Sequence, residues 1–209
     1  MSVEMQAARV VPLMLWDNVL FPGMLLPLQV RRPEYLDLIS HCLDRQGEFG
    51  MVLASEGSSQ PRHVGTIAKI IDYQSQEDGE VTLLVTGMER FMVSEVIDDD
   101  PFMTAMVEPY PFVYDIPAHE LDERAAQARR LFHHCVRLIA TYRGSTTVSG
   151  LPLPERTSRL TWAIAASLGI PPDERQRLLE KESPAALLQS EILYLRSLLS
   201  ELRDQVNDE

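Results

Sequence analysis

The chain has 209 residues, of which 45% are apolar, and a formal net charge of −12, a composition typical of a folded protein that is large enough to bury a core. We expect no signal peptide, and no segment approaches the ~18 consecutive apolar residues of a membrane span. Two cysteines are too few for a disulfide framework, so we predict a cytoplasmic protein that does not contact membranes.

The acidic charge is concentrated in the first half of the sequence. Residues 1–115 contain seven Lys and Arg against eighteen Asp and Glu, a net charge of −11, whereas residues 116–209 have a net charge of −1. Non-specific affinity for RNA or DNA comes mainly from Lys and Arg that neutralise phosphates. We therefore predict that nucleic acid is not a partner.

Residues 1–116 are predicted to form a β-rich domain with one helix. An early apolar segment is interrupted by Asp17-Asn18 and by Pro22-Gly23, and the second pair is typical of a type II turn. The simplest interpretation is a corner between two strands of one small barrel. A helix with one apolar stripe begins at Pro33. Short strands are then predicted at residues 51–55, 64–73, 81–87, 90–97 and 102–110, with a hairpin at Asp78-Gly79.

Residues 117–209 are predicted to form a helical bundle. Helices are expected over about 119–142, 155–168 and 173–180, and a last helix follows the cap pair Ser183-Pro184. Its apolar residues form a seam at spacings of four and three: Leu188, Ile192, Leu195, Leu199 and Leu202. The seam is about two heptads long, which is marginal for an isolated coiled coil, so docking on a neighbouring helix is favoured. Pairing with a second copy, which would give a homodimer, is the alternative.

Several sequence motifs resemble a known family. The segment "VVPLMLWDNVLFPGMLLPLQV", followed by a helix, is similar to the N-terminal domain of the ATP-dependent Lon protease. The resemblance continues through Val64-Gly65-Thr66, the Asp78-Gly79 turn, and Gly87 with Arg90-Phe91. It implies an α+β fold in which a PUA-like twisted β-sheet or pseudo-barrel is followed by a helical bundle. It also implies that the chain helps select and hold protein substrates.

The sequence lacks the motifs of the Lon ATPase and protease modules. A phosphate-binding P-loop requires G-x-x-x-x-G-K-[ST], but neither Lys69 nor Lys181 follows a glycine. No two glycines lie four apart, so no G-x-S-x-G nucleophile elbow exists. We therefore predict that the chain is not an enzyme and uses no cofactor.

Two clusters of potential metal ligands do not have the spacing of a metal site. Successive helical residues point about 100° apart, so His133, His134 and Cys135 diverge instead of converging on one ion. The acidic run at residues 98–100 lacks the alternating ligands and distal Glu of a calcium loop. No metal site is predicted.

Methionine provides the only hint of a binding surface. Met suits surfaces that accept varied apolar partners, because its side chain is unbranched and polarizable. The predicted patch consists of Met88, Phe91, Met92, Phe102, Met103 and Met106. We predict a module that binds unfolded or exposed apolar protein segments, in association with a separate protease or ATPase. The alternative is a small-molecule sensor or enzyme that uses a cleft between the two domains.

Overall fold

The computed structural model describes residues 8–54, 60–76, 79–98, 100–142 and 152–207. The chain divides into two units. The first, here the β unit, contains the described residues of Met1–Pro111 together with Gly169–Glu180. The second, here the helical unit, contains those of Phe112–Leu168 and Lys181–Glu209. The predicted boundary between residues 116 and 117 stays a prediction, but residues 169–180, expected in the bundle, lie in the β unit.

The described part of the β unit has a six-stranded mixed sheet. Its strands are β1 (Arg9–Trp16), β2 (Leu25–Val30), β3 (Glu48–Ala54), β4 (Pro61–Ser75), β5 (Val81–Asp98) and β6 (Thr104–Pro109). Their order is β2-β5-β4-β3-β1-β6, and β6 also pairs with β5, which closes five strands into a barrel-like ring. Among the described pairs, β1 and β3 are parallel and the others antiparallel. The predicted α+β fold is confirmed.

The turn residues near the N-terminus make the predicted corner between β1 and β2. The Met24 N–H donates to the Phe21 carbonyl at 3.0 Å, and Gly23 has a φ of 79°, as a type II turn requires. The corner is joined to β5, because the Gly23 N–H donates to the Gly87 carbonyl at 2.7 Å. A Cβ at position 87 would lie 2.2 Å from the Phe21 carbonyl oxygen, so only glycine fits there.

Two strands predicted at residues 81–87 and 90–97 are one continuous strand, β5, of 18 residues. The predicted break between them is wrong. Gly87 suggests a turn in the sequence, but in the structure it leaves space for the Phe21 carbonyl of the corner. The pairing of β4 with β5 is irregular here, since Ala68 pairs with Gly87 but Thr66 pairs with Arg90. A β-bulge therefore absorbs the extra residue without ending the strand.

The barrel interior is filled around one aromatic ring. Phe91 is 2% exposed and packs with buried residues of β1, β3, β4 and β6. A Cβ on Gly65 would lie 2.5 Å from the Phe91 ring, and one on Gly50 would lie 2.8 Å from it. The two glycines therefore leave the space that the phenyl ring occupies.

A second core lies beneath helix α1 (Pro33–Leu43). The predicted stripe is correct: Tyr35, Leu38, Ile39 and Cys42 are buried, and Leu43 is partly buried. Pro33 occupies the first turn, as expected, and Gly47 adopts a φ of 68° just after the helix. The core is completed by residues of all five strands from β1 to β5.

Helix α4 (Pro172–Leu179) packs on the strands of the β unit through buried polar side chains. The Gln176 side-chain amide donates to the Val64 carbonyl at 3.0 Å. Arg90 donates to the Leu179 carbonyl at 2.6 Å, and its guanidinium lies 4.7 Å from the Tyr110 ring centroid. Burial lowers the pKa of Arg90 to about 10, so it remains charged at neutral pH.

The helical unit contains α2 (Ala118–Tyr142), α3 (Thr157–Ser167) and α5 (Pro184–Asn207). Ser183 caps α5, because its hydroxyl accepts the Ala186 N–H at 3.1 Å. The predicted seam of α5 docks inside the unit. Leu188, Ile192, Leu195 and Leu199 are buried, and the Leu195 carbonyl accepts the Cys135 thiol of α2 at 3.5 Å.

Candidate functional site

An open groove with a volume of about 420 Å³ lies in the β unit. It is bounded by the end of β1, the first turn of α1, the end of β3 and the residues that lead into β6. We call this surface the corner groove. Its lining residues are Leu13, Leu15, Trp16, Asp17, Arg32, Glu34, Tyr35, Ala54, Phe102 and Met103.

The apolar residues of the corner groove pack against the two hydrophobic cores of the β unit. Trp16 and Phe102 are half-buried against the core beneath α1, and Leu15 and Met103 against the core of the barrel. The Leu13 N–H donates to the Met103 carbonyl at 2.8 Å, which fixes the segment before β6 to β1. Packing against the two cores holds these side chains in place, and part of their apolar surface remains exposed.

The start of α1 and the residue before it, Arg32, also line the groove. The Tyr35 hydroxyl donates to the Leu15 carbonyl at 2.8 Å, and burial raises the pKa of this phenol. Arg32 lies over the Tyr35 ring, with its guanidinium 4.8 Å from the centroid, and forms an ion pair with Glu34. Asp17 is exposed, and it makes no ion pair or hydrogen bond with any residue that the structure describes.

The structure separates the six residues of the predicted Met-Phe patch. Phe102 and Met103 line the corner groove. Phe91 is a core residue that is only 2% exposed. Met92 and Met106 lie on the outer face of the β5–β6 pair, and Met88 is 38% exposed at the bulge of β5. The six residues therefore do not form one surface, and whether any of them binds a partner stays a prediction.

A smaller cavity of about 180 Å³ is lined by residues at one end of the barrel. Its rim contains Arg9, which pairs with Glu89 at 3.1 Å and with Glu48 at 3.5 Å. Ile67, Phe91 and Val107 provide an apolar floor. Because its rim charges are already paired and it is less than half as large, this cavity is the weaker candidate.

The described residues contain no cluster of three or more His, Cys, Asp or Glu that could hold a metal ion. Burial raises the pKa of the Cys42 and Cys135 thiols to about 11, which makes both poor nucleophiles. Asp78 of the predicted hairpin and Asp99 of the acidic run at residues 98–100 lie outside the described residues. No helix in the described parts of the chain is long and apolar enough to cross a membrane.

Most of the corner groove could not be predicted from the sequence. Trp16 ends the first apolar segment, Asp17 begins the turn that follows it, and Tyr35 belongs to the apolar stripe of the first helix. A tryptophan directly before turn residues was the available signal, since large aromatic side chains contribute most to binding surfaces.

Two relatives of the chain are called Lon proteases. The "Lon protease" of Paraburkholderia phytofirmans is 31% identical over 173 residues, which is 78% of this chain and 21% of that protein. The "Lon protease" of Phenylobacterium zucineum is 26% identical over 208 residues, which is 94% of this chain and 25% of that protein. The chain thus spans about a fifth to a quarter of the length of these relatives.

Solved structures match nearly the whole fold. A Lon N-terminal domain protein from Xanthomonas campestris has a TM-score of 0.63 and 25% identity, and the match covers 87% of this chain and 96% of that one. The N-terminal domain of the Lon protease of the Mycobacterium avium complex has a TM-score of 0.69, with coverage of 90% and 98%. Its identity is 17%, so it supports the fold alone.

The family profile described as the ATP-dependent protease La (LON) substrate-binding domain matches residues 10–197. This range includes the barrel, the corner groove and most of the helical unit. The chain therefore belongs to the LON substrate-binding domain family.

Proposed function

We propose that the chain is a non-catalytic module that recognises protein substrates by binding unfolded or exposed apolar segments. The observation that carries this proposal is its membership of a family of substrate-binding domains over residues 10–197. The corner groove supports it, because an ordered wall of half-buried apolar side chains is the surface that such a segment needs. Fully burying one large apolar side chain contributes about 1.5–3 kcal/mol, so a single contact gives weak and reversible binding.

We propose further that the chain acts together with a separate protease or ATPase. The match covers the substrate-binding domain, and the matched relatives are called Lon proteases. A module that holds a segment without cutting it must release it to another machine. Weak binding suits such a role, since residence times shorten as affinity falls.

Two remaining predictions belong to this proposal. Action in the cytoplasm is consistent with two free, buried cysteines, Cys42 and Cys135. A homodimer is not supported by the α5 seam, because the seam residues are buried within the helical unit. We therefore propose that the module binds its partners without pairing through that seam.

Binding of a permanently unfolded protein tests the proposed function. A reduced and carbamidomethylated globular protein, whose blocked cysteines carry no charge, should bind the immobilised full chain saturably, whereas its native, disulfide-bonded form should not. Equal binding of the two forms, or no binding of either, would contradict the proposal. A small-molecule sensor, the alternative function, would instead bind neither form and show a melting temperature that rises with an added metabolite.

A further inference from the structure

The corner groove combines an apolar wall with an unmatched negative charge. Its volume of about 420 Å³ lies within the range of about 300–1,000 Å³ that is usual for ligand sites. Trp16, Phe102 and Met103 provide a wall that a large apolar side chain can contact. Met103 can adjust its shape to different partners, because its side chain is unbranched and flexible.

The charges of the corner groove do not cancel. Arg32 is neutralised by Glu34, with which it forms an ion pair, and it also stacks on Tyr35. Asp17 has no corresponding cation among the described residues, although it lines the same groove. The net charge of the lining is therefore −1, and Asp17 carries it.

The negative charge of the residues around the groove adds to that of Asp17. Residues 1–115 have a net charge of −11, so the potential around the groove favours cations and disfavours carboxylates. An acidic segment that approached Asp17 would be repelled both by this carboxylate and by the field of the unit. A basic segment would be attracted, and complementary charge mainly increases specificity and the rate of association.

We infer that the corner groove selects extended segments in which a large apolar or aromatic residue is followed two positions later by Lys or Arg, because residues i and i+2 of an extended chain share one face. The apolar side chain packs against Trp16, Phe102 and Met103, and the cation pairs with the Asp17 carboxylate. This inference rests on the proposed function and adds a sequence preference to it. The occupant is therefore a basic and apolar polypeptide segment, not an acidic one.

Trp16 provides a local fluorescence signal for the test. The chain has two tryptophans, and Trp162 is buried in the helical unit, where it stacks on Phe112 with ring centroids 4.8 Å apart. In the full-length Trp162→Phe variant, the emission comes from Trp16 alone. Three capped hexapeptides are titrated, with Phe-Ala-Lys, Phe-Ala-Glu or Ala-Ala-Lys at the centre and alanine elsewhere; they are called the Phe-Lys, Phe-Glu and Ala-Lys peptides.

The Phe-Lys peptide should shift the Trp16 emission and bind about three- to tenfold more tightly than the Phe-Glu peptide, the range expected from an exposed ion pair and its reversal. The Ala-Lys peptide should bind most weakly. Asp17→Lys should reverse the order of the Lys and Glu peptides, and Asp17→Asn should remove the difference. The matched control is Glu108→Lys, which makes the same change in net charge at an exposed position of β6 outside the groove and should keep the original order.

The outcomes separate this inference from the proposed function. If Glu108→Lys changes the order as much as Asp17→Lys does, or if charge has no effect in either variant, the inference is overturned. It is also overturned if no peptide changes the Trp16 emission while the unfolded protein still binds, and the proposed function then stands. If the unfolded protein does not bind either, both fail. Melting temperatures of all variants show whether each one is folded.

Discussion

Phe91 fills the barrel because Gly50 and Gly65, on neighbouring strands, leave room for its ring. Gly65 and Phe91 belong to the motifs that resemble the Lon N-terminal domain, and so do Gly87 and Arg90. Gly87 admits the Phe21 carbonyl, and Arg90 binds the end of α4. The most distinctive residues of the sequence are therefore structural, and they predict the fold better than they predict the site.

Replacement of Gly65 by alanine should destabilise the β unit. The added Cβ would lie 2.6 Å from the Met51 carbonyl oxygen and 2.5 Å from both the Phe91 ring and a Val52 methyl group. Overpacking of this kind typically costs about 1–3 kcal/mol. Urea unfolding should show a lower midpoint for Gly65→Ala, whereas Gly169→Ala, with no atom within 4 Å of the new Cβ, should stay within about 0.5 kcal/mol of the parent. Equal stability of the two variants would contradict the packing described for Phe91.

Glu191 makes the stability of the helical unit depend on pH. Its side chain is fully buried on α5 near the Ala165 backbone, and its carboxyl oxygens make no hydrogen bond of ordinary geometry within the described residues. Burial raises the pKa of this carboxyl well above the 4.5 of an exposed glutamate. The folded state therefore binds a proton that the unfolded state releases, so this stabilisation is complete below pH 4.5 and is lost as pH rises towards the folded-state pKa.

We predict that Glu191→Gln flattens this pH dependence. Between pH 5 and pH 8 the melting temperature of the parent should fall more steeply than that of the variant, because glutamine cannot ionise. Measuring both proteins in the same buffers cancels the contribution of all other titrating groups. Parallel profiles would show that Glu191 does not titrate on unfolding.

The orientation of the methionines could not be predicted from the sequence. Side chains alternate between the two faces of a regular strand, but β5 has irregular pairing at its bulge and again further along, between Val93 and Glu95. Each irregularity shifts the alternation, so Met88, Phe91 and Met92 cannot be placed by counting residues. The corner groove was hidden for another reason: Trp16, Tyr35 and Met103 are far apart in the sequence and meet only through the fold.

Among the secondary-structure elements, the bounds of the helices were predicted well, but the surface on which each helix packs was not. The periodic apolar residues of α2 and α5 indicated both helices and their buried faces. The bounds of α4 were also close, but its buried positions are Arg175 and Gln176 together with Leu178 and Leu179. Polar residues on a helix suggest a solvent-facing surface. Arg175 and Gln176 are buried because they donate hydrogen bonds to the Val19 and Val64 carbonyls of the β unit.

The attachment of α4 to β4 can be tested at Gln176. Replacing this 2% exposed side chain with alanine would leave the Val64 carbonyl without its donor, a loss of about 1–3 kcal/mol for a buried group. Arg177→Ala, at the adjacent exposed position, should change stability by less than about 0.5 kcal/mol. Hydrogen exchange of the α4 amides should accelerate in the Gln176→Ala variant alone. Unchanged exchange in that variant would indicate that α4 is held by other contacts.

At the scale of the whole molecule, the chain crosses between its two units three times. Composition and periodicity change once along the sequence, near residue 116, and this change predicts a simple division into two consecutive domains. The return of residues 169–180 to the β unit leaves no such signal, because a short amphipathic helix looks the same wherever it packs. The architecture of each unit was thus predictable, but the path of the chain between them was not.

Truncation tests this path. A chain that ends at residue 116 lacks α4 and so loses the Gln176 and Leu179 partners of Val64 and Arg90. We predict that this fragment melts at a clearly lower temperature than the full chain, or shows no cooperative transition. Joining residues 169–181 to residue 111 through a flexible linker should restore a cooperative transition. A fragment of residues 1–116 as stable as the fused form would show that α4 is dispensable.

Two methionines distinguish the corner groove from the rest of the β unit as the surface that we propose to hold unfolded protein segments. Met103 lines the groove, whereas Met106 lies on the outer face of β6, and both are half-buried. The measurement is the affinity of the full chain for a reduced and carbamidomethylated protein, in the parent and in Met103→Glu and Met106→Glu variants shown to be folded by their melting curves. We expect the affinity to fall at least about fivefold for Met103→Glu, because a carboxylate would face the apolar segment, and to change little for Met106→Glu. Equal affinities in the two variants, or a loss confined to Met106→Glu, would contradict it.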